Sequence, residues 1–504
     1  MSKSRREFLK HSIAAGSAIA IGGCGASKVL TPSADKAIAA SPQIIAGTGR
    51  AIGANNRLRI AVAGLNRRGK SHLKAWAAQA NVEVAYLIDP DSRVLEDKMR
   101  ILQGVVKGKF NCKGISDVRE ALDDKNLDAI SIATPNHWHS LMTIWGAQAG
   151  KHVYVEKPMS HDIQEGRVAV AAQKKYGVVI QHGTQNRSKP EIAGLHKMIR
   201  DRKFGKLKIS YGYCCKPRQG IGFKVPSVSP GNLDWNLWRG PAIIDQYHAN
   251  YAHYNWHWFW ESGNGDMNNQ GTHQLDMANW ALDEGMTHPT RVMGLGGRFL
   301  WDDQGETPNT MFAIAEYPNG QKVMFNVRNV NYSGYLRQVE NEYYFEDGGK
   351  IVKNKYYAKG SDTGEEIDIP DGDVTPGGNW GSFIAACRAG DPGMANGNVM
   401  DAHKGCVMGH LMNNSYRLGK GVPFGETADR LSENPDAVEH FTKLHKIMRD
   451  GVGLAEHDFS YTVGPWLTFD PKTERHTGEY ADEANALLKN KNRTGFEVPD
   501  IKDV

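Results

Sequence analysis

From residue 58 onward, short apolar segments alternate with amphipathic stretches, and this alternation restricts the possible folds more than any other feature. Helical periodicity fits the intervening stretches, for example 70–80 and 138–149. Parallel strands need such crossover helices between them, so the pattern predicts a doubly wound parallel α/β sheet of the Rossmann type over residues 57–186. The predicted strands are 58–64, 82–89, 129–134, 152–155 and 178–182.

After residue 186, strand-like segments follow one another without intervening helices. Pro318-Asn319-Gly320 between two of them is a hairpin signal. We predict an α+β domain with a large, mainly antiparallel open sheet over residues 187–424, with helices at 379–419 packing back toward the Rossmann domain. We expect a C-terminal extension, 425–504, to be irregular and to wrap the surface or a neighbouring subunit. The predicted strands are 207–214, 291–298, 311–317, 321–328 and 341–347.

The composition is that of an ordinary globular protein, with 40% hydrophobic and 23% charged residues among 504. The formal net charge is +5, and residues 1–10 supply +3 of it. The remainder is nearly neutral, so we expect no nucleic-acid partner. No sequence stretch approaches the roughly 20 apolar residues of a membrane span.

The first 24 residues have the order of an export signal. The paired arginines Arg5 and Arg6 precede a weakly apolar, small-residue stretch, which resembles a twin-arginine signal; a disordered basic tail is the alternative. Cys24 ends a segment resembling a lipoprotein box, and a plain cleavage near residues 37–39 is the alternative to a lipid anchor there. Residues 25–56 are predicted to be a flexible linker. The expected location is periplasmic or extracytoplasmic, with the twin-arginine machinery as an export partner.

The cysteines and histidines do not predict a metal site. The six cysteines form no C-x-x-C pair, and a protein that folds before export has no oxidising compartment in which to form disulfides, so we expect mostly buried thiols. His253 and His257 have a metal-type spacing but no supporting carboxylate or thiolate pattern.

The first strand runs into a glycine-containing turn at residues 64–69. Gly64 would make the tight turn and Gly69 would let the next helix pack closely, with helix N–H groups binding a pyrophosphate. Asn66 replaces the usual middle glycine and tolerates positive φ; an ordinary β–α turn is the alternative. Asp89 ends the second strand, where an acid binds ribose hydroxyls and disfavours a 2′-phosphate, so NAD is predicted over NADP. The alternative role for Asp89 is a helix cap.

Three further motifs carry a family resemblance: residues 134–139 (TPNHWH), Glu156-Lys157-Pro158, and residues 265–276 (GDMNNQGTHQLD). With the glycine turn, their order over about 57–420 resembles the Gfo/Idh/MocA oxidoreductases. The resemblance implies that Lys157 is catalytic, that His273 is an acid/base and that Asn136 and His139 line the nicotinamide ribose. It also implies a homo-oligomer formed through the open sheet. The predicted cofactor-binding residues are Gly64, Leu65, Asn66, Arg67, Arg68, Gly69, Asp89, Thr134, Pro135, Asn136, His139, Glu156, Lys157 and Gln185.

One position departs from the family pattern. The family usually has an aspartate four residues before the histidine, where this chain has Asn269. Asn269 can orient His273 or a sugar hydroxyl but supplies no charge, so Asp266 or Asp276 would have to stand in. Without the family order, Lys157 would be interpreted as a surface charge and His273 as a core histidine.

An aromatic run at residues 256–260 precedes the histidine segment, with further aromatic residues upstream at Trp235, Trp238, Tyr247, Tyr251 and Tyr254. Aromatic faces stack on sugar rings, so Tyr254, Trp256 and Trp258, together with Asp276, are predicted to contact substrate; packing of the domain core is the alternative.

The resemblance and the export signal together leave three functions open. Because free NAD is not expected outside the cytoplasm, a bound cofactor would have to be recycled in place. The first is an oxidoreductase acting on a secondary sugar hydroxyl, as in glucose–fructose oxidoreductase. The second is an NAD-dependent glycosidase resembling glycoside hydrolase family 109, working by transient oxidation, elimination and re-reduction. The third is a non-catalytic sugar-binding lipoprotein.

Overall fold

The computed structural model describes residues 56–106, 110–334, 337–455 and 459–504. The predicted export signal with Cys24, and all but the last residue of the predicted linker, lie outside the described residues. No helix in the described ranges is long and apolar enough to cross a bilayer.

The first sheet is parallel and six-stranded, in the order β3-β2-β1-β4-β5-β6, which confirms the predicted Rossmann architecture. One strand, β3, was not predicted, because it is three residues long and two of them are exposed. The strands are β1 Leu58–Ala63, β2 Val82–Ile88, β3 Lys113–Ile115, β4 Ala129–Ile132, β5 His152–Val155 and β6 Ile180–His182. The helices are α1 Arg68–Ala77, α2 Ser92–Val105, α3 Val118–Leu122, α4 Asn136–Gln148, α5 Ile163–Tyr176 and α6 Pro190–Arg200.

Both faces of this sheet are buried, as parallel sheets require. On one face, Ile130 and Val153 pack with helices α4 and α5. On the other, Ile60 and Val62 pack with α1 and with Phe383 from a later helix. This two-sided burial explains why the strands are continuous apolar runs rather than alternating ones.

The second sheet has the order β14-β13-β12-β11-β7-β10-β9-β8-β16-β15, with β17 pairing β8 and β18. Among the described strands, β7 and β10 form its parallel pair and the other pairs are antiparallel. The predicted hairpin joins β9 to β10, with Gly320 at φ +84°. The strands are β7 Leu207–Cys215, β8 Arg291–Gly297, β9 Thr310–Glu316, β10 Lys322–Arg328, β11 Gln338–Phe345, β12 Lys350–Val352, β13 Lys355–Tyr357, β14 Glu365–Glu366, β15 Lys420–Pro423, β16 Ser460–Val463, β17 Leu467–Asp470 and β18 Arg475–Thr477.

Helices bring the second sheet against the first domain. Leu275 and Leu411 pack on one face of the second sheet, while Val399 and Cys406 from the helix that carries Leu411 belong to the Rossmann core. The five described cysteines are free, and four of them are buried, which confirms the prediction for the thiols. The remaining helices are α7 Trp235–Arg239, α8 Gly265–Asn269, α9 Gly271–Trp280, α10 Gly378–Ala389, α11 Val399–Arg417, α12 Pro435–Lys446 and α13 Ala481–Ala486.

The prediction of an irregular C-terminal extension was wrong. Strands β16–β18 extend the second sheet, and α12 covers its other face with Phe441 and Leu444 beside Tyr461. These strands have only three or four residues each, too few to show a period in the sequence. We expected a second subunit to pack on an open face of this sheet, but residues of the same chain already cover that face. A homo-oligomer stays a prediction.

Candidate active site

A cavity of about 360 Å³ lies where β1, β2, β4 and β5 end. The carboxyl edge of a doubly wound sheet is where such folds bind ligands. Its walls combine the glycine turn, Lys157 and His273 with side chains from a long segment of the second domain.

The glycine turn has the geometry that its sequence predicted, with one correction. Gly64 has φ +76°, and a Cβ there would lie 2.5 Å from the backbone N of Thr134. A Cβ on Gly69 would lie 1.8 Å from the Gly64 carbonyl oxygen. The positive φ expected at Asn66 belongs to Arg67, at 38°. Helix α1 has no side-chain hydrogen bond at its N-cap, and the Gly69 N–H donates to the backbone O of Asn66 at 3.0 Å. Arg67 and Arg68, at the start of this helix, line the cavity.

Asp89 is buried at the end of β2. Its carboxylate accepts hydrogen bonds from the backbone N–H of Leu65 at 2.8 Å and of Asp91 at 2.9 Å. Burial raises the pKa of Asp89 to about 6 against the effect of these two donors. The alternative of a helix cap was wrong, because Asp91 caps α2. Asp89 thus fastens the glycine turn to the second strand beside the cavity.

The Glu156 carboxylate, next to Lys157 in the chain, contacts three other side chains. Its Oε1 accepts from Arg68 Nε at 2.7 Å and lies 3.1 Å from His72 Nε2 and 3.5 Å from Gln185 Nε2. The pKa of Glu156 is lowered well below its usual value, because His72 and Arg68 outweigh the opposing effect of burial. The predicted residues Arg68, Glu156 and Gln185 therefore meet at one ionised carboxylate.

The motif at residues 134–139 forms the cavity wall after β4. Thr134 and Pro135 line the cavity just before α4. Asn136 Nδ2 donates to Asn264 Oδ1 at 3.2 Å, which joins the two domains. His139 lies between the carbonyl oxygens of Pro158, 2.6 Å from Nδ1, and Thr134, 2.8 Å from Nε2. This histidine positions the backbone next to Lys157.

Lys157 lies at the cavity wall with its amine held by one residue. Its Nζ donates to the backbone O of Asn269 at 2.5 Å and to Oδ1 of the same residue at 3.0 Å. Burial lowers the pKa of Lys157, and Glu156 and Asp266 oppose that change. His273 lines the same cavity, and its pKa falls to about 3 through burial and then the Lys157 charge. Near neutral pH the imidazole is therefore uncharged.

The two candidate aspartates lie outside the cavity lining. Asp266 is buried beneath Asn269, whose Nδ2 donates to Asp266 Oδ1 at 2.9 Å. Asp276 was wrongly predicted to contact substrate. It is buried against Arg187, with Oδ1 2.8 Å from Nε, because a carboxylate in the domain core needs a counter-charge.

The predicted aromatic residues divide between cavity and core. Tyr254 and Trp256 line the cavity, and their contact with substrate stays a prediction. Trp258 was wrongly placed there: it is buried, its carbonyl oxygen accepts from the Glu306 and Thr307 N–H groups, and its ring lies 5.5 Å from the Arg218 guanidinium carbon.

Sequence reasoning missed several lining residues that come from residues 216–264, which we call the cover segment. It connects β7 to α8 and has little regular structure, so it carries no periodic signal. The missed residues in the cover segment are Leu237, His253 and His257, while Trp238, one of the aromatic residues upstream of the run, also lines the cavity. The first domain adds Ala63, Ile88, Pro90, Ser116, Asp117, Val118, Ala133, Trp138 and Met142.

The cover segment is fastened to the first domain across the cavity. Asp91 accepts from Asn232 Nδ2 at 2.8 Å and lies 3.0 Å from His253 Nε2. The Arg67 guanidinium lies 4.2 Å from the centre of the Tyr254 ring. The glycine turn and the end of β2 are therefore tied to a segment of the other domain.

A cluster away from the cavity has metal-ligand side chains. The ligand atoms of His288, His403 and Glu474 lie within 4.8 Å of one another, and His403 Nε2 is 2.8 Å from Glu474. Both Nδ1 atoms have no partner in the described structure, whereas metal-bound imidazoles normally donate their second N–H. We interpret the cluster as histidine–carboxylate hydrogen bonding.

Both domains of the chain match models of known protein domains. Residues 58–184 match the model of an oxidoreductase family with an NAD-binding Rossmann fold, and residues 239–349 match the GFO/IDH/MocA C-terminal domain. The chain is 25% identical over 229 residues to levoglucosan dehydrogenase of Pseudarthrobacter phenanthrenivorans, covering 45% of this chain and 52% of the relative. It is 27% identical over 213 residues to a glycosyl hydrolase family 109 protein of Shewanella pealeana, covering 41% and 45%.

The matched region spans about half the length of these curated relatives. Among solved structures, the WlbA dehydrogenase of Chromobacterium violaceum in complex with NADH and UDP-GlcNAcA aligns with a TM-score of 0.53 at 16% identity. The alignment covers 71% of this chain and 94% of that one. This likeness shows a shared fold.

Proposed function

Since the chain belongs to the Gfo/Idh/MocA oxidoreductase family and carries its NAD-binding Rossmann domain, we propose that it oxidises a secondary hydroxyl of a sugar or glycoside, with a tightly held NAD that is recycled in place. The observation that carries the proposal is the convergence of Lys157 and His273 on the cavity that the glycine turn borders. The names of the relatives, a levoglucosan dehydrogenase among them, support a sugar as substrate.

The residues present fit a dinucleotide. Gly64 leaves room where any Cβ would clash, and the uncapped start of α1 offers N–H groups to a pyrophosphate. Asp89 at the cavity edge suits ribose hydroxyls and supports NAD rather than NADP. When bound, the nicotinamide would supply hydride chemistry: it can accept a hydride from the sugar carbon and later return one.

The protein's own part is to position the sugar and move the hydroxyl proton. Burial favours the neutral amine of Lys157, which can accept a proton at Nζ. The amine donates hydrogen bonds to two oxygens of Asn269, so the lone pair of a neutral Nζ is left to accept the proton of a substrate hydroxyl. The neutral His273 imidazole is a second group able to bind the substrate oxygen or relay the proton.

The cover segment supports retention of the cofactor. Its contacts from Asn232 and His253 to Asp91 close the adenosine side of the cavity. Retention suits the proposed periplasmic location, reached through the twin-arginine machinery with or without a lipid on Cys24, where a lost cofactor could not be replaced.

Redox-neutral glycoside hydrolysis is the second candidate. The family 109 relative favours it, and a cofactor held in the cavity under the cover segment would suit a reaction that returns the cofactor to its starting state. In that reaction the sugar would be oxidised transiently, and the aglycone would then leave by elimination. Water would add to the product, and re-reduction of the sugar would return the cofactor to its oxidised starting form. Lys157 and His273 would then also handle the proton of the carbon next to the ketone.

The test mixes the purified protein with a panel of free sugars and aryl glycosides. Net oxidation predicts that a sugar raises the absorbance of reduced nicotinamide and that a second carbonyl compound reverses it. Hydrolysis predicts release of aglycone without lasting absorbance change. Binding of sugars with neither signal would contradict both proposals and favour a non-catalytic sugar-binding protein.

A further inference from the structure

We propose that Asp266, clamped by Arg218, positions Lys157 through the side-chain amide of Asn269, and that Arg218 is a positioning residue which keeps the amine ready to accept a proton. The inference rests on the proposed function only in assigning Lys157 its role. It explains how the chain works with an asparagine where the family resemblance predicts an aspartate.

Asp266 is fixed by a bidentate ion pair in the second domain. Arg218 donates from Nε to Oδ2 at 3.0 Å and from a terminal nitrogen to Oδ1 at 2.9 Å. Asn329 Nδ2 donates to Oδ2 at 2.5 Å. The carboxylate is 1% exposed, and its pKa is lowered because the arginine and these donors outweigh burial. A buried carboxylate held this way stays ionised.

The ionised Asp266 fixes which way the Asn269 amide faces. Its Oδ1 accepts from Asn269 Nδ2 at 2.9 Å, so the amide oxygen points the other way and accepts from Lys157 Nζ at 3.0 Å. The reversed amide would place an N–H₂ group against the lysine amine and an oxygen against a carboxylate, losing both hydrogen bonds. The carboxylate therefore orients Lys157 without touching it.

The same arrangement orients the Lys157 amine without placing a negative charge directly beside it. An aspartate at position 269 would place a full negative charge about 3 Å from the amine and stabilise the ammonium form. Asn269 supplies only a neutral oxygen, and Arg218 offsets the charge of Asp266 behind it.

The other groups acting on Lys157 belong to several elements. Glu156 raises its pKa, while Arg68 and Lys216 lower it. The nearby histidines, whose pKa values burial lowers, are His139, His182, His257 and His273. These groups are unchanged in the variants below, so differences between variants report the Asp266–Arg218 pair.

The test measures proton binding at Lys157 without turnover. The full-length protein is labelled with trace acetic anhydride over a pH series, and the modified Lys157 peptide is quantified by mass spectrometry. We expect the exchange D266N/N269D, which moves the carboxylate next to the amine without setting two carboxylates against each other, to tighten proton binding at Lys157 by about tenfold or more, since an opposite charge within hydrogen-bond reach shifts a pKa by at least about 1. D266N should weaken it, because the Arg218 charge is then uncompensated. R218M should tighten it, because the Asp266 charge is then uncompensated.

Two comparisons separate this role from a structural one. R218K retains the charge and should restore the wild-type titration of Lys157. D303N removes a carboxylate from a similar bidentate pair, Arg298–Asp303, that makes no hydrogen bond to Lys157 or Asn269, and should leave that titration unchanged. Thermal melts confirm that each variant is folded.

Opposite shifts in D266N and R218M support the proposal even if no sugar reacts, in which case only the proposed function fails. Shifts of the same sign in D266N and R218M, or an unchanged titration of Lys157 in D266N/N269D, would overturn it.

Discussion

Single residues at the cavity decide whether chemistry can occur. Lys157 and His273 come from different domains, and each has an environment that favours its uncharged form. Lys157 is also held by two oxygens of Asn269. For His273, burial is the main cause of the lowered pKa. The lysine is therefore the group whose position and protonation the fold controls most closely.

Replacing Lys157 with methionine should remove turnover and leave cofactor retention intact. Methionine keeps much of the side-chain volume and loses the proton acceptor, so we expect kcat to fall by about 10²–10⁴-fold. Steady-state kinetics and the dinucleotide content of the purified variant measure the two effects. A variant that turns over at the wild-type rate would contradict the assignment.

The pH dependence should follow the lysine and not the histidine. Oxidation needs the neutral amine, so kcat/KM should rise with pH through the lowered pKa of Lys157 and then level off. Because the pKa of His273 is about 3, its titration lies below the working range. H273N should lower the rate while leaving the rising limb where it is; a limb that vanishes in H273N would assign it to the histidine.

Gly64→Ala should damage both stability and cofactor binding. The residue has φ +76°, and the added methyl would lie 2.5 Å from Thr134 N, so something in the turn must move. We expect a loss of about 1–3 kcal/mol in the free energy of unfolding. Gly150→Ala is the matched control: it also has positive φ, at +69°, but its Cβ would meet no atom within 4 Å. Equal dinucleotide loss in both variants would contradict the role of the turn.

At the scale of elements, what the sequence predicts depends on periodicity. Strands β1, β2, β4 and β5 were placed within two residues, because their apolar runs have ends marked by turn residues. Asp276 was misassigned, because counting helix positions cannot show that Arg187, 89 residues earlier, supplies its counter-charge. The cover segment was missed, because its closure rests on contacts such as Asn232 to Asp91, 141 residues apart.

Loosening the cover segment should speed release of the dinucleotide. N232A removes two hydrogen bonds, one from Asn232 Nδ2 to Asp91 and one from Arg93 to Asn232 Oδ1, at a residue outside the cavity lining. We expect an off-rate about tenfold or more above wild type, since two hydrogen bonds of about 1 kcal/mol each are lost. N255A, whose amide bonds within the segment to Asn250, is the control. Stopped-flow displacement of bound NADH measures the rates, and equal rates would argue against a closing role.

At the scale of the whole molecule, the chain covers its own sheet. Helix α12 buries Phe441 at 1% exposure, whereas Phe223 in the cover segment is 60% exposed. F441A should therefore lower the free energy of unfolding by about 3–5 kcal/mol, and F223A by about 0.5 kcal/mol or less. Chemical denaturation compares them. Similar losses in both variants would show that residues after 424 do not belong to the core.

The proposed function requires above all that a dinucleotide is held beside Lys157 by the glycine turn and the cover segment. The most direct measurement is the dinucleotide content of the purified, folded protein after denaturation, followed by calorimetric titration of any cofactor-free fraction with NAD⁺ and NADH. We expect close to one dinucleotide per chain, chiefly NAD⁺ or NADH, and saturable rebinding that G64A weakens. A folded protein that contains no dinucleotide and binds neither form would contradict it.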